Sequence, residues 1–100
     1  MNSNTMGRLM EWGAKCWLSD VVRSYHWTTT DHFSRDDMRG IDIIGTSKSK
    51  PVDKILIQVK SSIDGAINFI NREVIPKGIV VIIPDEDTGG FKIVYGKLPI

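Results

Sequence analysis

The chain has one cysteine, Cys16, which excludes an internal disulfide and any four-cysteine zinc cluster, since only His26 and His32 stand by to join it. A charge excess is missing as well: 13 basic against 12 acidic residues leave a formal net charge of +1. Proteins that hold DNA through its phosphates usually show a basic surplus, so any such role here must rest on local clustering. Long apolar runs are absent too. The longest, Ile79 to Ile83, is far too short to span a bilayer, and the opening MNSNTMGRLMEW lacks the basic start and apolar stretch of a secretory signal. The expectation is a soluble cytoplasmic protein with no membrane partner.

What is present suffices for one core. One hundred residues, 41% of them hydrophobic and eight aromatic in all, make a single domain over residues 1–100 and leave no room for a second. Leu9, Trp12, Cys16 and Trp17 recur at helical spacing, which predicts a helix over 5–18 capped by Asn4 or Thr5, with Cys16 buried. Residues 21–28 alternate as a strand, and the polar loop from Thr29 to Gly40 is long enough to suggest a functional role. Ile41–Ile44 and Lys54–Lys60 read as a hairpin around the turn 45–53. Ser61 and Ser62 can cap a helix over 63–73 whose apolar face is Ile63, Ala66, Ile67 and Ile70. Strands at 79–83 and 91–95 complete the order αβββαββ, the first of them apolar throughout, as in a strand covered on both faces.

Alternation along the third strand puts Leu56, Gln58 and Lys60 on one face and Ile55, Ile57 and Val59 on the other. On the preceding strand Asp42 lies between Ile41 and Ile43, which alternation sends to the opposite side, so a hairpin register brings Asp42 close to Gln58. An acid, an amide and an ammonium inside apolar strands are costly to desolvate unless partners or an ion meet them. A divalent cation such as Mg²⁺, which favours oxygen donors and keeps several waters, suits the Asp42 carboxylate, the Gln58 amide oxygen and the Val59 carbonyl, with Glu11 of the first helix as a second carboxylate. Lys60 would then orient or deprotonate an attacking water and neutralise charge on a phosphate.

The string Gly40-Ile41-Asp42-Ile43-Ile44, a spacer, then Ile55-Leu56-Ile57-Gln58-Val59-Lys60 resembles the PD-(D/E)xK nuclease superfamily. It is most similar to the branch of Mrr-type restriction endonucleases and archaeal Holliday junction resolvases. The opening helix with Gly7 and Glu11 is similar to the one that donates an extra glutamate there, and the likeness runs from Gly7 to about Ile83. No proline precedes Asp42, and Gln58 stands in place of the usual acid, as in the Mrr-type branch. The resemblance implies an α/β (α+β) fold with a restriction-endonuclease-like αβββαβ core, a central mixed sheet flanked by helices. It implies a Mg²⁺-dependent endodeoxyribonuclease, with Mn²⁺ as substitute, that leaves 5′-phosphates. DNA is the partner, and cutting both strands calls for a homodimer, for which Trp27 or Phe33 offers an aromatic surface.

Arg35, Arg39, Lys48, Lys50 and Lys54 flank the proposed strands and can meet phosphates, although scattered surface cations read the same way. Ser61 and Ser62 are helix caps first, and that same helix start also suits a backbone phosphate. Glu11 equally suits the solvated side of an amphipathic helix. Small size favours selection by DNA shape, as at a junction, flap or other branch, over a long recognition sequence. Two further readings stay open: a catalytically degenerate nucleic-acid-binding or assembly module on the same fold, and a small α+β interaction domain in which the D…QxK pattern is fortuitous.

Overall fold

In the computed structural model, residues 3–30, 40–72 and 74–100 are described, with side chains from residue 7 onward. Helix α1 (Ser3–Val21) is followed by strands β1 (Tyr25–Thr29), β2 (Ile43–Ser47) and β3 (Lys54–Val59), helix α2 (Ile63–Ile70), then β4 (Ile79–Pro84) and β5 (Phe91–Tyr95). The strands form one five-stranded sheet in the order β1-β2-β3-β4-β5. All neighbours are antiparallel except β3 and β4, whose parallel pairing needs a crossover, and α2 supplies it. The chain is thus α+β, a mixed sheet with two helices among the described residues.

Each face of the sheet has its own core. On one, Ala14 and Leu18 of α1, with Val22 just beyond it, pack on Trp27, Ile43, Ile57, Val59, Val80 and Ile82. On the other, Ala66 and Phe69 of α2 pack on Ile41, Ile79, Val81 and Ile83. Residues Ile79 to Ile83 are all buried, which explains an apolar run without alternation. Trp27 donates its indole N–H to the Val22 carbonyl at 3.1 Å and covers Gly45, where a Cβ would lie 2.5 Å from its ring. Only glycine leaves room for that ring in the middle of β2.

Several sequence expectations are corrected. The buried stripe of α1 is Ala14 and Leu18 with Met10 and Trp17 packed alongside, whereas Leu9 and Trp12 are 57% and 60% exposed and Cys16 is exposed. Two apolar stripes lie on this helix, and the one continuing to Val22 and Trp27 wins because small Ala14 lets the helix approach the sheet. Helix α2 ends three residues early at Ile70, with Asn71 as its C-cap, and buries Ala66 and Phe69 while Ile63 and Ile67 are about half exposed. β1 begins only at Tyr25, because Val21 closes α1. β2 spans Ile43–Ser47, so the turn shrinks to residues 48–53. Trp27 is buried and offers no dimer surface, and Phe33 lies outside the described residues. Among the described residues no helix is long and apolar enough to cross a membrane.

Candidate functional site

The site begins where β2 fails to be a regular strand. Gly40 turns the chain with φ +82°, Ile41 enters the core under α2, and Ile43, two residues on, enters the core under α1. Strict alternation would put both isoleucines on one face, as the sequence pattern suggests. Instead the backbone swivels at Asp42, which is only 8% exposed and sits between the two layers. Its N–H donates to the Ile57 carbonyl at 2.8 Å, and its carbonyl accepts the Thr30 N–H at 2.9 Å and the Thr30 hydroxyl at 3.2 Å. The same hydroxyl reaches the Ile41 carbonyl at 2.8 Å. Oδ2 of Asp42 accepts the Val59 N–H at 2.9 Å. A side-chain oxygen thereby meets a buried amide of β3, and that hydrogen bond helps an acid tolerate burial.

The regular pairing ends with Ile43 opposite Ile57; Asp42 then meets the Ile57 carbonyl through its N–H and the Val59 N–H through Oδ2, and so lies alongside the Gln58 stretch of β3. Gln58 is 5% exposed; its Nε2 donates to the Val59 carbonyl at 3.2 Å, and its buried Oε1 has no hydrogen-bond partner among the described residues. A Cβ on Gly40 would lie 3.2 Å from that oxygen and 2.6 Å from the Phe69 ring, so glycine is what opens the space above the amide. Lys60 points toward α2, its Nζ 5.5 Å from the Phe69 ring centroid. Arg72, just beyond α2, brings its guanidinium carbon to 4.9 Å from the same centroid. Phe69 therefore gathers two cations beside Gln58, a cation–π arrangement that holds the charged ends without quenching them.

Arg72, Phe69 and Thr30 escaped the sequence reading. Phe69 and Arg72 are three apart, a spacing that puts them on one side of a helical turn and was available as a signal. Thr30 carried none, because its role depends on which carbonyls happen to lie across from it.

The remaining sequence candidates are more dispersed. Glu11 lines a cleft with Arg8, Trp12, Thr29 and Thr30 on the α1 side; Asp42, Gln58 and Lys60 are not among the residues lining it, although Thr30 connects the two places. Ser62 caps α2 by accepting the Gly65 N–H at 3.2 Å. It and Ser61 open onto a groove that also holds Asp85, Glu86, Asp87 and Lys92, so three carboxylates oppose a phosphate there. Lys48, Lys50 and Lys54 sit at the far end of the hairpin, roughly 16 Å from Asp42 at the usual rise per residue. Lys54 Nζ is also tied to Thr46 Oγ1 and the Pro51 carbonyl. They are out of reach of a phosphate at Asp42 and can touch only a neighbouring one. Arg35 and Arg39 lie outside the described residues, as does His32, while His26 is exposed on β1.

The oxygen donors on these adjoining residues are the Asp42 carboxylate, Gln58 Oε1 and the Val59 carbonyl, which also accepts Gln58 Nε2, a hard set of the kind Mg²⁺ takes while keeping several waters. Gln58 Oε1 bears on the fit most directly, because leaving such an oxygen buried without a donor costs about 1–3 kcal/mol, which a cation or its water would offset. Among the described residues no three His, Cys, Asp or Glu side chains cluster as metal ligands. The set thus fits a cation held by few protein ligands, with one carboxylate at its centre. No family model, curated protein or solved structure matches the chain.

Proposed function

We propose that the protein is a Mg²⁺-dependent endonuclease that hydrolyses DNA phosphodiester bonds at the Asp42–Gln58–Lys60 end of the β2–β3 hairpin. The observation that carries this reading is the Asp42 carboxylate hydrogen-bonded to the amide of Val59, the residue between Gln58 and Lys60. The order αβββαβ, with β3 and β4 parallel around α2, is compatible with the restriction-endonuclease-like core that the PD-(D/E)xK resemblance implies. Mg²⁺, when bound, supplies positive charge against the phosphate and favours ionisation of water. Asp42, Gln58 and the Val59 carbonyl would hold it, with Glu11 as a further carboxylate. Lys60 orients the attacking water and neutralises charge developing on the phosphoryl oxygens. Water adds to phosphorus, the 3′-oxygen leaves with a proton, and the product carries a 5′-phosphate. Arg72 contacts an adjacent phosphate. Cleavage of both strands would take two copies of the chain.

Supercoiled and branched DNA incubated with Mg²⁺ or Mn²⁺ tests this reading. The parent is expected to cut, and Lys60→Ala and Asp42→Ala are not; equal cutting by all three removes the assignment. A second reading, a degenerate module that binds DNA without cutting it, is favoured by neutral Gln58 and by the lack of a three-residue acidic or histidine cluster among the described residues. Salt-sensitive binding with no cutting by any of the three would select it.

A further inference from the structure

Tryptophan is expensive to leave in water, yet Trp12 of α1 is 60% exposed. Lys15 Nζ stands 4.9 Å from the centroid of its ring, a cation–π contact that steadies the indole. The ring borders the cleft of about 250 Å³ that Arg8, Glu11, Thr29 and Thr30 also line. Arg8 has no salt bridge among the described residues. Thr30 joins the cleft to the candidate site, since its hydroxyl holds the Ile41 and Asp42 carbonyls.

A flat aromatic, a guanidinium and two hydroxyls side by side form a platform for a nucleobase with its phosphate. Resting on the nuclease reading above, we infer that this cleft takes an unpaired nucleotide of the DNA strand, stacked on Trp12 with its phosphate on Arg8. The strand then runs past Thr30 toward Asp42. The base then lies on the indole and the backbone on the Arg8 side of the cleft. A base paired inside a duplex has no open face for such stacking. The cleft therefore selects single-stranded, flapped or branched DNA over a continuous duplex, and it does so through one side chain.

Binding measured without divalent metal separates this inference from catalysis. An oligothymidylate of about fifteen nucleotides should quench the tryptophan fluorescence of the parent, since Trp27 is buried and Trp17 half-buried. Trp12→Ala should bind it roughly 5- to 150-fold more weakly, the range of a single base–aromatic stack, while Trp12→Phe recovers part of the loss and duplex binding is unchanged. Unaltered melting of both variants would exclude a folding defect. Equal oligothymidylate binding by parent and Trp12→Ala overturns the inference. So does a Trp12-dependent dimer in sedimentation that oligothymidylate leaves intact, since a second copy would then occupy the indole. Quenching with no cutting in Mg²⁺ rejects the nuclease reading and leaves this cleft standing.

Discussion

Asp42 and Val59 are 17 residues apart in sequence and are joined by a 2.9 Å hydrogen bond from the Val59 amide to the Asp42 carboxylate. This contact ties a polar residue just before β2 to the strand that carries Gln58 and Lys60. It also explains how an acid is accommodated at 8% exposure, because a carboxylate accepting a backbone N–H gains a charge-assisted bond in place of water. One side chain is thus structural through Oδ2, and the nuclease reading gives its charge a second, chemical role.

The two roles separate by substitution. Asp42→Ala leaves the buried Val59 amide unsatisfied and is expected to lower stability by about 1–3 kcal/mol in urea unfolding. Asp42→Asn keeps an oxygen for that amide and should lose less, yet it should abolish Mg²⁺-dependent cutting as fully as alanine does. An asparagine variant that cuts like the parent would leave Asp42 with its structural task alone.

Gln58→Glu tests the metal without reference to activity. A carboxylate in the place of an amide whose oxygen lacks a partner among the described residues must be ionised in a buried setting or take up a proton. The variant is expected to melt below the parent in chelator and to recover as Mg²⁺ is added, with an apparent metal affinity tighter than the parent's. A melting temperature indifferent to Mg²⁺ in both proteins would remove the cation from this site.

The sequence made the element order and the strand faces legible, because both follow from local periodicity: Ile57 and Val59 do face α1, and Leu56 does face α2. It also pointed to Asp42 meeting β3 near Gln58, and its bonds do go to Ile57 and Val59 on either side of that residue. It could not show which of two apolar stripes α1 would bury, since Leu9 and Trp12 are as hydrophobic as Met10 and Leu18, and the small size of Ala14 tells only once the sheet lies against the helix. Nor could it show the swivel at Asp42, which depends on contacts with Thr30 and Val59 that are distant in the chain. Lys48, Lys50 and Lys54 seemed close to the site because they flank the same strands; strand direction puts them at the other end.

Gly40 is expected to be irreplaceable for a reason that reaches the site. Alanine there must adopt φ near +82° and push a Cβ to 2.6 Å from the Phe69 ring and 3.2 Å from Gln58 Oε1. The backbone strain alone is of order 1–2 kcal/mol, and the ring must shift as well. Gly40→Ala should therefore lower the melting temperature and weaken Mg²⁺ binding together. Gly78→Ala, with a similar φ of +80° and nothing within 4 Å of the added Cβ, should lower stability and leave the metal response unchanged.

Lys60 and Arg72 share the Phe69 ring, yet their losses should read out differently. Lys60→Met keeps a stem of similar length over Phe69, so stability should change by no more than about 0.5 kcal/mol. Cutting should fall by about 10²-fold or more, the scale of losing one group that stabilises charge in the transition state. Arg72→Gln removes the cation that the nuclease reading assigns to a phosphate beside the one being cut. DNA affinity should weaken, and the slope of log binding constant against log salt should fall by about one, while the rate at saturating DNA stays near that of the parent. The two cations would have equivalent roles only if both variants lost rate and salt slope alike, in which case Phe69 would be presenting a single undivided phosphate site.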